Sequence, residues 1–129
     1  MHQSIINFTN IQNSIKENQE KTNNKNNIKI IAVSKTFEIS HINPLIDYGH
    51  TDFGENKVQE AIEKWSDIKI KNQNLSLHLV GKLQSNKTKL ALKIFDYIHS
   101  LDSEKLANKI SEEQKKIDKK PKLFIQVNI

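Results

Sequence analysis

The chain contains neither cysteine nor arginine, and both absences narrow its chemistry. Without cysteine there is no disulfide, no thiolate ligand for a metal and no cysteine nucleophile. All 20 basic residues are lysine, so the bidentate contacts of arginine to phosphates and bases are not available. The net charge of +5 is spread along the chain, and aromatic residues make up only 6%. We therefore expect no nucleic-acid partner, although a basic nucleic-acid-associated protein is the alternative that charge alone suggests.

Long apolar runs are also missing. The hydrophobic fraction is 36%, and no stretch approaches the roughly 20 apolar residues that a helix needs to cross a bilayer. Residues 1–7 have neither the basic segment nor the continuous apolar run of a secretory signal. At 129 residues the chain has the length of one domain. We expect a soluble, cytoplasmic protein with no membrane partner.

The apolar residues alternate between helical and strand spacing. Residues 4–21 have helical spacing, and a polar Asn/Lys linker separates them from a first predicted strand at 28–34. The pattern then predicts strands at 51–53, 75–80, 97–100 and 123–129, and helices at 40–48, 55–68, 85–95 and 103–117. This alternation predicts a parallel sheet with right-handed crossovers.

The last predicted strand, 123–129, is apolar, β-prone and runs to the final residue. A parallel strand that is buried on both faces normally has a crossover helix and neighbours to cover it. Five strands with four connecting helices are a little over half of an eight-stranded barrel, whose length is typically about 250 residues. We expect an interrupted architecture with an exposed edge at this strand and a tendency to associate.

A lysine stands where the first predicted strand ends, in the sequence IAVSKT at 31–36. In parallel α/β folds, functional groups lie at the carboxyl ends of strands. An amine held there, at the mouth of an apolar pocket, would lose solvation and become a nucleophile toward a carbonyl or aldehyde. From the local residues alone, a solvated lysine at a strand end is the more frequent outcome.

Further motifs follow at the ends of the predicted strands, in the order AVSKT (32–36), FGENKVQE (53–60), HLVGKLQSNK (78–87), HSLD (99–102) and QVNI (126–129). Together they closely resemble the pyridoxal-phosphate homeostasis protein family, over roughly residues 28–129. The resemblance implies the fold of the alanine racemase amino-terminal domain, a parallel (β/α)8 TIM barrel, here truncated after about strand 5. Residues 1–129 would then be a single, incomplete domain with an N-terminal helix (1–22) and βα units 1 to 5 (28–129).

The same resemblance assigns cofactor residues. It implies that Lys35 carries pyridoxal 5'-phosphate (PLP) as a Schiff base and that Asn56 binds the cofactor from the end of strand two. Capping of the next helix is an equally weighted alternative for Asn56. The loop 81–87 would lie beside the same pocket, where its glycine permits close approach. Two residues depart from the family pattern, since Lys57 stands where an aromatic residue is common and Lys82 where proline is common.

Other polar residues are assigned structural roles. We expect His78 to be a hydrogen-bonded interior histidine, and Glu55 and Glu60 to be charges at the start and on the face of a helix. No metal site is expected, because the remaining histidines have no metal-ligand spacing: His2, His41, His50 and His99.

The resemblance implies a non-catalytic carrier that serves PLP binding and PLP homeostasis. Racemisation requires a proton donor on each face of the carbanion, and no second base is recognisable in this sequence. The alternative is the N-terminal half of a fold-related PLP-dependent amino acid racemase or decarboxylase. We expect the full-length form to be monomeric. We expect the 129-residue chain to self-associate and to bind PLP weakly, because the family's phosphate-binding loops follow later strands.

Overall fold

A computed structural model describes all 129 residues and shows two compact units. Residues 1–30 and 37–50 form one unit, and residues 31–36 and 51–129 form the other. The first unit contains two helices, α1 (Gln3–Thr22) and α2 (Ile39–Tyr48). None of the helices in the structure is both long enough and apolar enough to span a membrane.

In the first unit, Phe8 of α1 and Ile42 of α2 are buried. Phe8 makes two aromatic contacts. Its ring lies 6.1 Å from that of Tyr48 and 4.5 Å from that of His50, measured between centroids. Helix α2 ends at Gly49, which has a φ of 106°, a conformation that glycine adopts without strain. Most of α1 stays exposed, including Ile11 of the predicted apolar face. The two helices were predicted within a residue of their observed bounds.

The second unit contains five strands, three helices and a short 3₁₀ turn: β1 (Ala32–Val33), β2 (Asp52–Glu55), α3 (Val58–Lys71), β3 (Ser76–Leu79), the 3₁₀ turn (Ser85–Lys87), α4 (Thr88–Ile94), β4 (Tyr97–Leu101), α5 (Glu104–Ile117) and β5 (Lys122–Ile125). All strands are parallel and lie in the order β1-β2-β3-β4-β5. The predicted parallel α/β fold is therefore confirmed.

Strand β1 is much shorter than the predicted strand at 28–34. In the sheet it pairs only with β2, and Ala32 lies opposite Phe53. Because β2 begins at Asp52, residues 28–30 have no strand residue opposite them. The length of β1 is therefore limited by pairing with its neighbour rather than by the apolar character of the segment.

The two faces of the sheet differ in burial. On the helix-facing face, Phe53 is fully buried, and its ring centroid lies 5.0 Å from that of Trp65 on α3. Residues alternate along a strand, so Gly54 lies on the opposite face, which we call the open face. There Ile31, Val33 and Val80 lie close to Gly54. Val33 is 49% exposed, so this apolar face is only partly covered.

Strand β5 is exposed, as its sequence predicted. It pairs with β4, and the strand order places no strand on its other side. Several large apolar side chains are exposed in and after it: Leu123, Phe124, Ile125, Val127 and Ile129. The unit therefore presents an unpaired, apolar strand edge.

Candidate functional site

Lys35 and Asn56 follow neighbouring strands at one edge of the sheet. Val33 lies opposite Gly54. Lys35 is two residues after Val33 in the chain, and Asn56 is two residues after Gly54. The Ser34 N–H donates to the Gly54 carbonyl at 2.8 Å, which continues the pairing up to the residue before Lys35. The structure therefore brings the two candidate residues to adjacent loops at the carboxyl ends of β1 and β2.

The side chain of Lys35 is exposed. From the local residues alone, a solvated lysine at a strand end was the more frequent outcome than an amine held at the mouth of an apolar pocket, and the described chain has the exposed lysine. Val33, the apolar residue two positions before it, is itself 49% exposed. Solvent therefore reaches the amine.

A buried cluster lies behind the turn that carries Lys35. Glu55 is fully buried at the end of β2, and its Oε1 accepts from Ser34 Oγ (3.0 Å), Lys64 Nζ (2.7 Å) and Trp65 Nε1 (3.1 Å). Lys64 also donates to the Ser34 carbonyl at 2.8 Å and to Glu60 Oε1 at 3.1 Å. An ammonium group has three N–H donors, so these acceptors satisfy all of them.

Glu60 connects this cluster to the residue after Lys35. Its Oε1 accepts the backbone N–H of Thr36 at 2.6 Å. That hydrogen bond, together with the nearby Lys64 ammonium, holds the pKa of Glu60 below its ordinary value, against the opposing effect of burial. Thr36 has a φ of 67°, which costs a residue other than glycine about 1–2 kcal/mol.

The expectation that Glu55 is a helix-start charge is wrong. The β2–β3 pairing extends to Glu55 opposite Leu79, and α3 begins only at Val58. Glu60 does lie on α3, as predicted, although in its first turn because the helix begins later than expected. Sequence reasoning did not single out Lys64. The available signal was its spacing of four residues from Glu60, which brings the two side chains together on a helix.

Asn56 borders a pocket of about 440 Å³. The pocket is lined by Asn56, Lys57, Val58, Gln59, Gly81, Lys82, Gln84 and Lys87. It includes both lysines that depart from the family pattern, and Lys35 does not line it. The predicted proximity of Asn56 to the loop 81–87 is therefore present, with a more basic wall than the family pattern implies.

Gly81 packs directly against Asn56. A Cβ at position 81 would lie 2.5 Å from the Asn56 carbonyl oxygen. The close approach predicted for this glycine is therefore to protein backbone. Asn56 Oδ1 is buried and has no hydrogen-bond partner. Lys57, not Asn56, occupies the N-cap position of α3, so helix capping does not account for the asparagine.

His78 is a buried, hydrogen-bonded residue of the open face, as predicted. Its Nε2 lies 2.7 Å from Asp52 Oδ2, and its Nδ1 lies 2.9 Å from His99 Nε2. The Tyr97 ring stacks on His78 and the Phe124 ring on His99. Burial, and then the neighbouring His78, lowers the pKa of His99. These side chains join β2, β3, β4 and β5 across the open face.

Comparison with known proteins gives close relatives but no match to a family model. The pyridoxal phosphate homeostasis protein of Haemophilus influenzae is 43% identical over 112 residues, which are 86% of this chain and 47% of that protein. The protein of the same name from Escherichia coli is 36% identical over 103 residues, which are 79% of this chain and 44% of that protein. The chain spans about half the length of the curated relatives it matches.

Solved structures agree with these relatives. PipY of Synechococcus elongatus, solved with PLP bound, matches with a TM-score of 0.75 and 37% identity over 88% of this chain and 54% of that chain. A protein from Bifidobacterium adolescentis matches with a TM-score of 0.80 and 27% identity over 89% of this chain and 51% of that chain. The family resemblance and the parallel α/β fold inferred from the sequence are confirmed.

Proposed function

The chain is a relative of the pyridoxal phosphate homeostasis proteins, and from this premise we propose that its function is PLP binding and PLP homeostasis, without catalysis. One observation carries the proposal. It is that Lys35 and Asn56 lie at the same carboxyl edge of the sheet. The structure of the relative PipY, solved with PLP bound, supports it.

The residues at this edge fit the aldehyde end of PLP, which supplies a carbonyl group to which an amine can add. The Lys35 amine is accessible from solvent. In its neutral form it adds to the aldehyde carbon, a water molecule leaves, and a C=N bond joins lysine and cofactor as a Schiff base. The buried, unpartnered Oδ1 of Asn56 is an acceptor for a cofactor donor, since a buried polar oxygen without a partner is costly.

We also propose that residues 28–129 form the first five βα units of a (β/α)8 barrel and that residues 1–129 are one incomplete domain. The order of the five parallel strands supports this. PLP binding by the 129-residue chain should be weak, because water reaches Lys35 and hydrolyses an exposed Schiff base. The exposed apolar edge at β5 supports self-association of this chain, whereas the full-length form is proposed to be monomeric.

Reductive labelling tests the covalent site. The chain is incubated with PLP and reduced with borohydride, which adds a hydride to the C=N carbon and leaves a stable secondary amine after protonation of the nitrogen. Peptide mapping should find the label mainly on Lys35, with the exposed Lys25 as an internal reference for non-specific reaction. The variant Lys35→Arg should lose this label. Label found mainly on Lys57, Lys82 or Lys87 would overturn the assignment.

The absence of catalysis has its own test. With PLP present, the chain should racemise alanine no faster than free PLP does, because no second base that could oppose Lys35 is recognisable in the sequence. Chiral chromatography of the amino acid after incubation measures this. Racemisation well above that of free PLP and abolished in Lys35→Arg would favour the enzyme alternative, half of a racemase or decarboxylase.

A further inference from the structure

We infer that Lys64 and Glu60 of α3 are positioning residues that fix the backbone on both sides of Lys35. The inference rests on the proposed Schiff base at Lys35, whose direction the backbone sets. Neither residue has to contact the cofactor for this role. Both act through the peptide groups next to the reacting lysine.

The hydrogen bonds are placed on the two peptide groups that flank the Lys35 Cα. The preceding group presents the Ser34 carbonyl, which accepts from Lys64 Nζ at 2.8 Å. The following group presents the Thr36 N–H, which donates to Glu60 Oε1 at 2.6 Å. Lys64 and Glu60 are themselves joined at 3.1 Å. Both peptide planes beside Lys35 are therefore held by one ion pair on one helix.

The turn needs such a hold because Thr36 is in the left-handed region at a φ of 67°. A threonine leaves this conformation when nothing compensates its cost. The bond to Glu60 is charge-assisted, and such bonds are stronger than those between neutral groups. Loss of this bond would free the Lys35–Thr36 peptide to rotate, and the direction of the Lys35 side chain would change with it.

The cluster is also anchored on its far side. Lys64 is only 9% exposed and pairs with the fully buried Glu55, which accepts from Trp65 at 3.1 Å as well. This connects the turn to the packed interface of β2 and α3. A rigid support of this kind is what holds a reactive group within a fraction of an ångström of its working position.

A pair of substitutions at Glu60 separates this role from charge and from stability. Glu60→Gln keeps an Oε1 acceptor for Thr36, whereas Glu60→Met keeps the length of the side chain and removes the acceptor. In Glu60→Met we expect reductive PLP labelling of Lys35, relative to Lys25, to fall about threefold to tenfold, as for one lost hydrogen bond. We expect Glu60→Gln to retain most of it. Amide hydrogen exchange at Thr36 should accelerate in Glu60→Met only.

Lys64→Met gives a second test, with Lys69→Met as its matched control. Lys69 lies on the same helix, is 17% exposed, and donates to the Ile94 carbonyl and to Asp96. Both changes remove a partly buried ion pair and destabilise the fold. Only Lys64→Met should lower the Lys35 share of the label in protein that circular dichroism shows to be folded.

The outcomes separate the two proposals. If unmodified Lys35 takes no more label than Lys25, the proposed Schiff base fails. If Lys35 is labelled selectively and a folded Glu60→Met variant labels it equally well, the positioning role is refuted and the Schiff base stands. An equal loss in Lys69→Met and Lys64→Met would likewise refute positioning, because general destabilisation would then explain both.

Discussion

Replacement of Gly81 by alanine should destabilise the sheet unit by about 1–3 kcal/mol, the usual cost of forcing an extra carbon into a packed site. The added Cβ would lie 2.5 Å from the Asn56 carbonyl oxygen, 2.7 Å from its Cβ and 2.9 Å from its Cα, whereas ordinary contacts begin near 3.4 Å. Two of these three atoms are backbone, so no side-chain rotation relieves the contact. The connection between β2 and α3 must move by roughly 0.9 Å.

Urea unfolding followed by tryptophan fluorescence measures this cost. Trp65 is the single tryptophan and is fully buried, so its emission reports exposure of the β2–α3 interface. Gly54→Ala is the matched control, because its Cβ would meet only side-chain atoms of Ile31, Val33 and Val80, at 3.1–3.4 Å. We expect that variant to lose less than about 1 kcal/mol.

The Gly81→Ala and Gly54→Ala variants can also be compared for PLP binding. Displacement of Asn56 by Gly81→Ala should reduce PLP binding more than its loss of stability explains. A Gly81→Ala protein with the same urea midpoint and slope as the unmodified chain would refute the reasoning. So would a larger loss in Gly54→Ala than in Gly81→Ala.

Three further predictions concern pH, association and the buried ion pair. The pKa of His99 lies below 6.5 in the folded state, so the unfolded chain binds the proton more readily than the folded chain. The free energy of unfolding should therefore decrease as pH falls through 6.5. Urea unfolding measured at several pH values should show this decrease, and the His99→Asn variant should show a smaller one. Ile125→Lys should shift the chain toward monomer in sedimentation velocity. Ile70→Lys, at a residue 72% exposed on α3, should not. Equal effects of the two substitutions would argue against β5 as the surface through which the chain self-associates. Lys64→Met should lower the free energy of unfolding, measured with urea, by about 3–5 kcal/mol, because it leaves Glu55 as a buried charge without its cation. A change near zero would contradict the buried ion pair.

The alternation of elements was predictable because each helix carries its own periodic pattern. Helix α5 shows this, since the segment 103–117 was predicted and Glu104–Ile117 is observed. Its start is marked by Ser103, whose side chain accepts the Leu106 N–H. Signals of this kind are local, so a single sequence contains them.

The strand ends and the surroundings of Lys35 were less predictable because they depend on distant partners. The length of β1 is set by where β2 begins, and the burial of Glu55 is set by Lys64 and Trp65 on a helix that follows it. The exposure of Lys35 depends on which side chains from other strands surround it, and the sequence of its own strand does not contain this information. The hydrogen bonds that link Asp52, His78 and His99 likewise form only when β2, β3 and β4 pair in the observed register.

The order of the strands has a consequence for synthesis of the chain. Because each strand pairs with the strand made just before it, every new strand emerging from the ribosome finds its neighbour already made. No strand has to wait for a later segment to be inserted beside it, and the loops that must close are those between consecutive strands. The sheet can therefore grow vectorially, one strand at a time, at a translation rate of about 5–20 residues per second. At each stage the nascent protein presents a single new edge to chaperones, and the edges of β1 to β4 are each covered when the next strand arrives.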